Sequence, residues 1–138
     1  MPGSRVRAAL LHSSANYSVQ LRARQHTMVG DEPAAVGGQD AGPRPFELAL
    51  AGLVSCTAIT LRMYAQRKQW QLGDIEVEAR IRQDGEAYVI ERSVVVGEAV
   101  SDEQRERLAQ ICEKTPVTLF IKRGATIATT VQRASSPD

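Results

Sequence analysis

Polar and apolar positions alternate along two stretches of the chain. From Tyr17 to Thr27, Tyr17, Val19, Leu21 and Ala23 fall on one side and Ser18, Gln20, Arg22 and Arg24 on the other. That period of two predicts a half-buried strand. Val6 to His12 reads as its hairpin partner, with Ser13 to Asn16 as the turn. Ile75 to Arg82 alternates more cleanly: Ile75, Val77, Ala79 and Ile81 oppose Glu76, Glu78, Arg80 and Arg82, a face expected in solvent. A turn at Gln83-Asp84-Gly85 sends the chain back through Ala87 to Val96 as a second hairpin arm.

Between these hairpins the pattern changes. Leu48 to Leu61 carries no charge, and a helix is predicted from Phe46 to about Lys68, ending in Arg62, Arg67 and Lys68. Pro45 and Glu47 suit its first turn and the basic end suits its C-terminal dipole. A helix that is apolar on every side has to be covered on every side. One sheet covers only one side, so a homodimer with this helix near its centre is expected. Gly30 to Pro45, dense in glycine and proline, is a loop. Ser101 and Gln104 form a capping box that opens a second helix running to about Lys114. Leu108, Ile111, Cys112 and Thr115 share one of its faces, and Pro116 breaks the pattern. Val117 to Lys122 adds about a helical turn, Ala125 to Val131 reads as a closing strand, and Ser135 to Asp138 as a frayed tail. The order of elements, without βαβ alternation or a glycine-rich phosphate loop, predicts an α+β fold with antiparallel pairing. A single domain over residues 1–138 is expected, with residues 1–5 and 134–138 frayed.

The 138 residues carry a net charge of +1 from 17 basic and 16 acidic side chains, without the basic stripe a nucleic-acid surface needs. Two Phe, three Tyr and one Trp give few stacking platforms for bases. The apolar start ends at Leu11, short for a secretory leader. The uncharged run is also shorter than the roughly 20 residues that cross a bilayer. Two cysteines make no disulfide framework. The expected protein is soluble and cytoplasmic, binding neither nucleic acid nor membrane.

The candidate chemistry centres on Cys56, in the most apolar stretch. It is either a packed core residue or a reactive thiol in a dry pocket. Lying far from the helix N-terminus, it gains nothing from the dipole, and burial alone would raise its pKa. A reactive Cys56 therefore needs a cation: Arg22, Arg24, Arg44 or an arginine of a partner chain. Cys112 is either packing or a second thiol that attacks an oxidised Cys56. Glu47 precedes Cys56 by nine residues, about 2.5 helical turns, so in one straight helix the two face opposite sides. His12 and His26 are the only histidines, and no spacing suggests a metal site. Ser55-Cys56 lacks the glycines of a nucleophile elbow. No cofactor is expected.

Several motifs occur together: Asp31-Glu32-Pro33; Gly37-Gly38, Asp40 and Gly42-Pro43; Pro45 with Glu47-Leu48; Ser55-Cys56-Thr57-Ala58; Thr60-Leu61-Arg62-Met63-Tyr64-Ala65; Arg67-Lys68 and Trp70; Ile90-Glu91-Arg92; and Lys114 with Pro116-Val117. From about Thr27 to Val131 the chain resembles the OsmC/Ohr family, in its Asp-Glu-Pro and Gly-Pro-x-Pro branch. The resemblance implies an intertwined homodimer, with antiparallel sheets around long central helices and active sites at the subunit interface. It implies thiol-dependent reduction of organic hydroperoxides in oxidative-stress defence. The first cysteine becomes a sulfenic acid, the second closes a disulfide, and a dithiol or thioredoxin-like partner reduces it. Cys56 matches the attacking cysteine and Glu47 the helix-start glutamate. The second cysteine of the family falls at Thr115, with Cys112 three residues earlier, about one turn. Where the family has its activating arginine this chain reads Ala35-Val36-Gly37, leaving Arg22, Arg24 or Arg44 to substitute. Arg44, Arg24, Thr115 and Met63 are the expected substrate-side residues. The competing reading is a dimer of the same fold that binds a small hydrophobic or electrophilic ligand without peroxidase turnover.

Overall fold

The computed structural model describes residues 3–135. Of the ends expected to fray, residues 1–2 and 136–138 lie outside the described residues. Strands β1 (Arg7–Ala9), β2 (Val19–Ala23) and β3 (His26–Gly30) form one antiparallel sheet in the order β1-β2-β3. The expected hairpin of the first two strands is present, and Val19, Leu21 and Ala23 are the more covered side of β2. The strand expected over Tyr17 to Thr27 is instead two. Arg24, at φ 55, turns the chain, and Ala23 pairs with His26 across the turn. Arg24 and Gln25 carry none of the Gly, Asn or Asp chemistry that announces such a turn in sequence.

The loop that follows is ordered around Asp31, which is 2 % exposed. Its carboxylate accepts three backbone N–H groups, from Glu32 at 2.7 Å, Gln39 at 3.3 Å and Ala41 at 3.1 Å. These bonds hold the carboxyl below the usual aspartate range, the Glu32 bond most, against the opposing pull of burial. Two glycines make the fold of this loop possible. A Cβ on Gly38 would run into the Glu32 carbonyl, and one on Gly42 into the Val29 carbonyl.

The long helix α1 spans Pro45–Lys68, close to its predicted bounds. Leu53, Thr57, Leu61 and Ala65 make a buried face at four-residue spacing. The hairpin of β4 (Glu76–Asp84) and β5 (Ala87–Val95) lies against α1, as do α2 (Asp102–Cys112) and α3 (Pro116–Arg123). The hairpin expected from the alternation is present, with its turn one residue later, and Arg80 stands opposite Glu91. Leu61 and Leu72 are fully buried and join Ala65, Val100, Leu108 and Cys112 in the core. The other side of α1 is bare, with Ile59 and Met63 each half exposed, while Phe46 packs against Tyr88 of β5. By length and composition α1 is also the one helix among the described residues apolar enough to cross a membrane.

The capping box at Ser101 is present, with Gln104 N–H donating to the Ser101 hydroxyl at 3.1 Å. Pro116 opens α3 instead of merely breaking a pattern, as proline does at a first helical position. Thr115 is therefore not on the α2 face with Cys112 but caps α3. The strand expected over Ala125 to Val131 is absent. No sheet among the described residues takes this segment up, and Ile127 and Val131 are 85 % and 94 % exposed.

Candidate active site

Helix α1 carries Cys56 at the margin between its buried and bare faces, half covered and unpaired. Among the described residues its sulfur has one polar contact, the Thr60 hydroxyl at 3.9 Å. Ile59 and Met63, three and seven residues on, lie on the same side because seven residues are about two helical turns. Thr57 points about 100° away, into the protein.

The arginines expected to ionise Cys56 are engaged elsewhere in the protomer. The Arg22 Nε donates to the Arg24 carbonyl at 2.9 Å within its own turn. Arg24 is exposed in that turn. Arg44 stands at the N-cap of α1, its Nε 3.6 Å from Glu32. Glu47 is a helix-start carboxylate: its Oε1 accepts the Arg44 N–H at 2.9 Å, an unpaired donor of the first turn.

The densest polar cluster lies on the buried side of α1. The Arg92 guanidinium, from β5, donates to Thr57 Oγ1 at 3.0 Å and Thr118 Oγ1 at 2.8 Å through Nη1. Through Nη2 it donates to the Cys112 carbonyl at 2.9 Å and lies 3.4 Å from Glu113 Oε2. One planar fork thus joins α1, the end of α2 and the start of α3. The Thr115 hydroxyl, fully buried, is 2.6 Å from that of Thr118. Beside this cluster, Leu53, Ile90, Arg92, Thr118 and Ile121 line a cavity of about 530 Å³.

Cys112, 8 % exposed, faces the core. Burial pushes its thiol above the usual cysteine range; the Arg92 charge pulls it back and Glu113 opposes that pull. Cys56 and Cys112 are both free. Among the described residues no group of three or more His, Cys, Asp or Glu could hold a metal ion.

The structure therefore sets Met63 on the Cys56 side and links Thr115, through Thr118 and Arg92, to Thr57. Arg44 and Glu47 make other contacts in the protomer, and the Arg24 side chain is exposed. Sequence reasoning passed over Arg92 as a site residue. Its signal was available: Ile90, Arg92, Val94 and Val96 occupy one side of an alternating stretch, so the arginine stands in an inward position. A charged residue is rarely buried without partners, and three hydroxyl or carbonyl groups are its partners here.

The sequence matches the model of a protein family described as OsmC-like protein over residues 37–130, more than half of the chain. No curated protein matches it. Among solved structures it is similar to the organic hydroperoxide resistance protein OsmC of Legionella pneumophila. The TM-score is 0.63 at 16 % identity, over 87 % of this chain and 89 % of that one. An OsmC-like protein of Mycoplasma pneumoniae gives 0.67 at 14 % identity, over 87 % of each chain. The organic hydroperoxide resistance protein OhrB of Bacillus subtilis gives 0.59 at 20 % identity, over 88 % and 91 %. At these identities the likeness is one of fold: antiparallel sheets with a long helix.

Proposed function

Because the chain belongs to the OsmC-like protein family, we propose that it is a thiol-dependent peroxidase for organic hydroperoxides in oxidative-stress defence. In this reading it works as a cytoplasmic homodimer with Cys56 as the attacking sulfur. One observation carries it: Cys56 sits half-buried at the edge of a bare apolar face, beside the exposed Ile59 and Met63. An organic hydroperoxide has an apolar body for such a face and an electrophilic oxygen for the sulfur. The Cys56 thiolate attacks the terminal oxygen, the O–O bond breaks, and the alcohol leaves with a proton. Cys56 becomes a sulfenic acid.

A second copy supplies what the protomer lacks. It covers the bare face of α1 around Ile59 and Met63, too apolar to leave in water without a role. It takes up the extended segment of Ile127 and Val131 along a sheet edge. The cation that ionises Cys56 comes from that copy. Arg24 is exposed in its turn, and Arg44 pairs with Glu32 at a loose 3.6 Å. Glu47 keeps the helix start in place, and Thr115 backs the Cys56 turn through Thr118, Arg92 and Thr57.

The test is loss of cumene hydroperoxide in the presence of a dithiol, for wild type and Cys56→Ser. Turnover confined to wild type is expected; turnover that survives Cys56→Ser overturns the assignment. The rival reading, a dimer that binds a small hydrophobic or electrophilic ligand, has one observation in its favour. Among the described residues no cation touches Cys56 within the protomer. It predicts a Cys56 that reacts with electrophiles while peroxide is left unconsumed.

A further inference from the structure

We propose that the sulfenic acid formed on Cys56 is resolved by a low-molecular-weight thiol from outside the chain and not by Cys112. The inference rests on the reading of Cys56 as the attacking sulfur. The chain has two cysteines, so any disulfide within it must join Cys56 to Cys112. Cys112 is the last residue of α2 and is packed in the core with Leu61, Leu72 and Leu108.

Its backbone is pinned as well as its side chain. The Cys112 carbonyl is one of the oxygens a helix end leaves without an internal partner, and Arg92 fills that place at 2.9 Å. The same guanidinium holds Thr57 on α1 and Thr118 on α3. On the Cys56 turn of α1 it is therefore Thr57 that faces the Cys112 region, while Cys56 lies about 100° round the helix. A disulfide needs Cα atoms within roughly 7 Å and Cβ vectors aimed at each other. Bringing the Cys112 sulfur round to Cys56 requires it to leave the core, where it packs with Leu61 and Leu108. It also works against the Arg92 bond that holds the Cys112 carbonyl in place. Burial also keeps Cys112 as the neutral thiol, and the thiolate is the nucleophile in disulfide formation. Cys56, by contrast, is only half-buried, at the edge of that helix face.

The chemistry balances with two external thiols. The first attacks the Cys56 sulfenic acid: the S–O bond breaks, an S–S bond forms, and the oxygen leaves as water with the proton of the thiol. The second attacks the outer sulfur of this mixed disulfide. It releases the Cys56 thiolate and the external disulfide, so the two thiols supply the two electrons that reduced the peroxide.

Wild-type protein would be treated with one equivalent of cumene hydroperoxide and divided into three portions. One receives dimedone, one glutathione as the probe thiol, and one nothing; each is mapped by mass spectrometry without reduction. The expected result is a dimedone adduct on Cys56, one glutathione on Cys56, and Cys112 free in all three. Glutathione alone should also sustain peroxide consumption. A Cys56–Cys112 disulfide in the untreated portion, within one copy or between two, overturns the inference and leaves the peroxidase reading standing. A Cys56–Cys56 disulfide between copies overturns it equally. A Cys56 that peroxide leaves unoxidised removes the peroxidase reading and this inference together.

Discussion

Arg92 Nη1 donates to Thr57 Oγ1 at 3.0 Å, joining strand β5 to the residue that follows Cys56 on α1. The two are 35 residues apart in the chain. The Thr57 hydroxyl itself donates to the Leu53 carbonyl at 2.8 Å, so it is used in both directions. Arg92→Met fills the space but leaves the Thr57 and Thr118 hydroxyls and the Cys112 carbonyl short of a donor. A loss of about 2–4 kcal/mol is expected in urea unfolding, since each buried polar group left unpaired costs about 1–3 kcal/mol. Arg92→Lys should recover only part of it, because a single ammonium cannot fork between three helices.

Asp31 makes the stability of the loop depend on pH. Its carboxyl sits below its ordinary range in the folded protein, so the folded state favours the charged form. The stabilisation is complete above the unfolded value, near 3.9, and is lost as pH falls through the lower folded value. Asp31→Asn should lower stability at neutral pH and flatten the acid limb of the thermal-melting profile. An unchanged acid limb would show that other carboxylates carry it.

Gly38→Ala tests whether the loop tolerates any side chain. The added Cβ meets the Glu32 carbonyl, which is backbone and cannot swing aside. A loss of about 1–3 kcal/mol is expected, the usual range for overpacking. Gly3→Ala, with open space around it, is the control and should change nothing.

The bare face of α1 predicts the assembly. Wild type should run at about twice its 15.0 kDa chain mass in light scattering. Ile59→Glu places a charge at the centre of that face, where the residue is 59 % exposed in the protomer. It should yield monomer, or a dimer that dissociates on dilution. A wild-type monomer would remove the partner invoked for the Cys56 cation.

The two thiols should react at different rates. With iodoacetamide at pH 8, Cys56 is expected to be labelled first and Cys112 only as the core opens. The Cys112 thiol is raised by burial, so its stabilising effect is full below the unfolded cysteine value, near 8.5. It is lost as pH climbs through the higher folded value. Labelling of Cys112 should therefore accelerate at alkaline pH more than its ionisation alone explains. Equal rates for both cysteines at pH 8 would contradict the burial of Cys112.

Elements that local rules govern were legible in the amino-acid pattern. The period of β4, the uncharged run of α1 and the Ser101–Gln104 capping box each depend on residues within a turn or two of one another. Those relations survive any tertiary arrangement. It also placed Cys56 on the long helix, and the family resemblance in its motifs agrees with the family match over residues 37–130. What lies opposite each face came from the packing of distant segments. Period tells which side of a strand is inward; it does not tell that the inward Arg92 meets Thr57, Thr118 and the end of α2, or that Thr115 caps a new helix. It gave no sign that Arg24 turns the chain between β2 and β3, because that turn is held by the pairing of Ala23 with His26. For the same reason Ala125 to Val131, strand-like in composition, stays unpaired in the protomer. A strand exists only where a neighbouring edge accepts its hydrogen bonds, and that edge is a property of the fold.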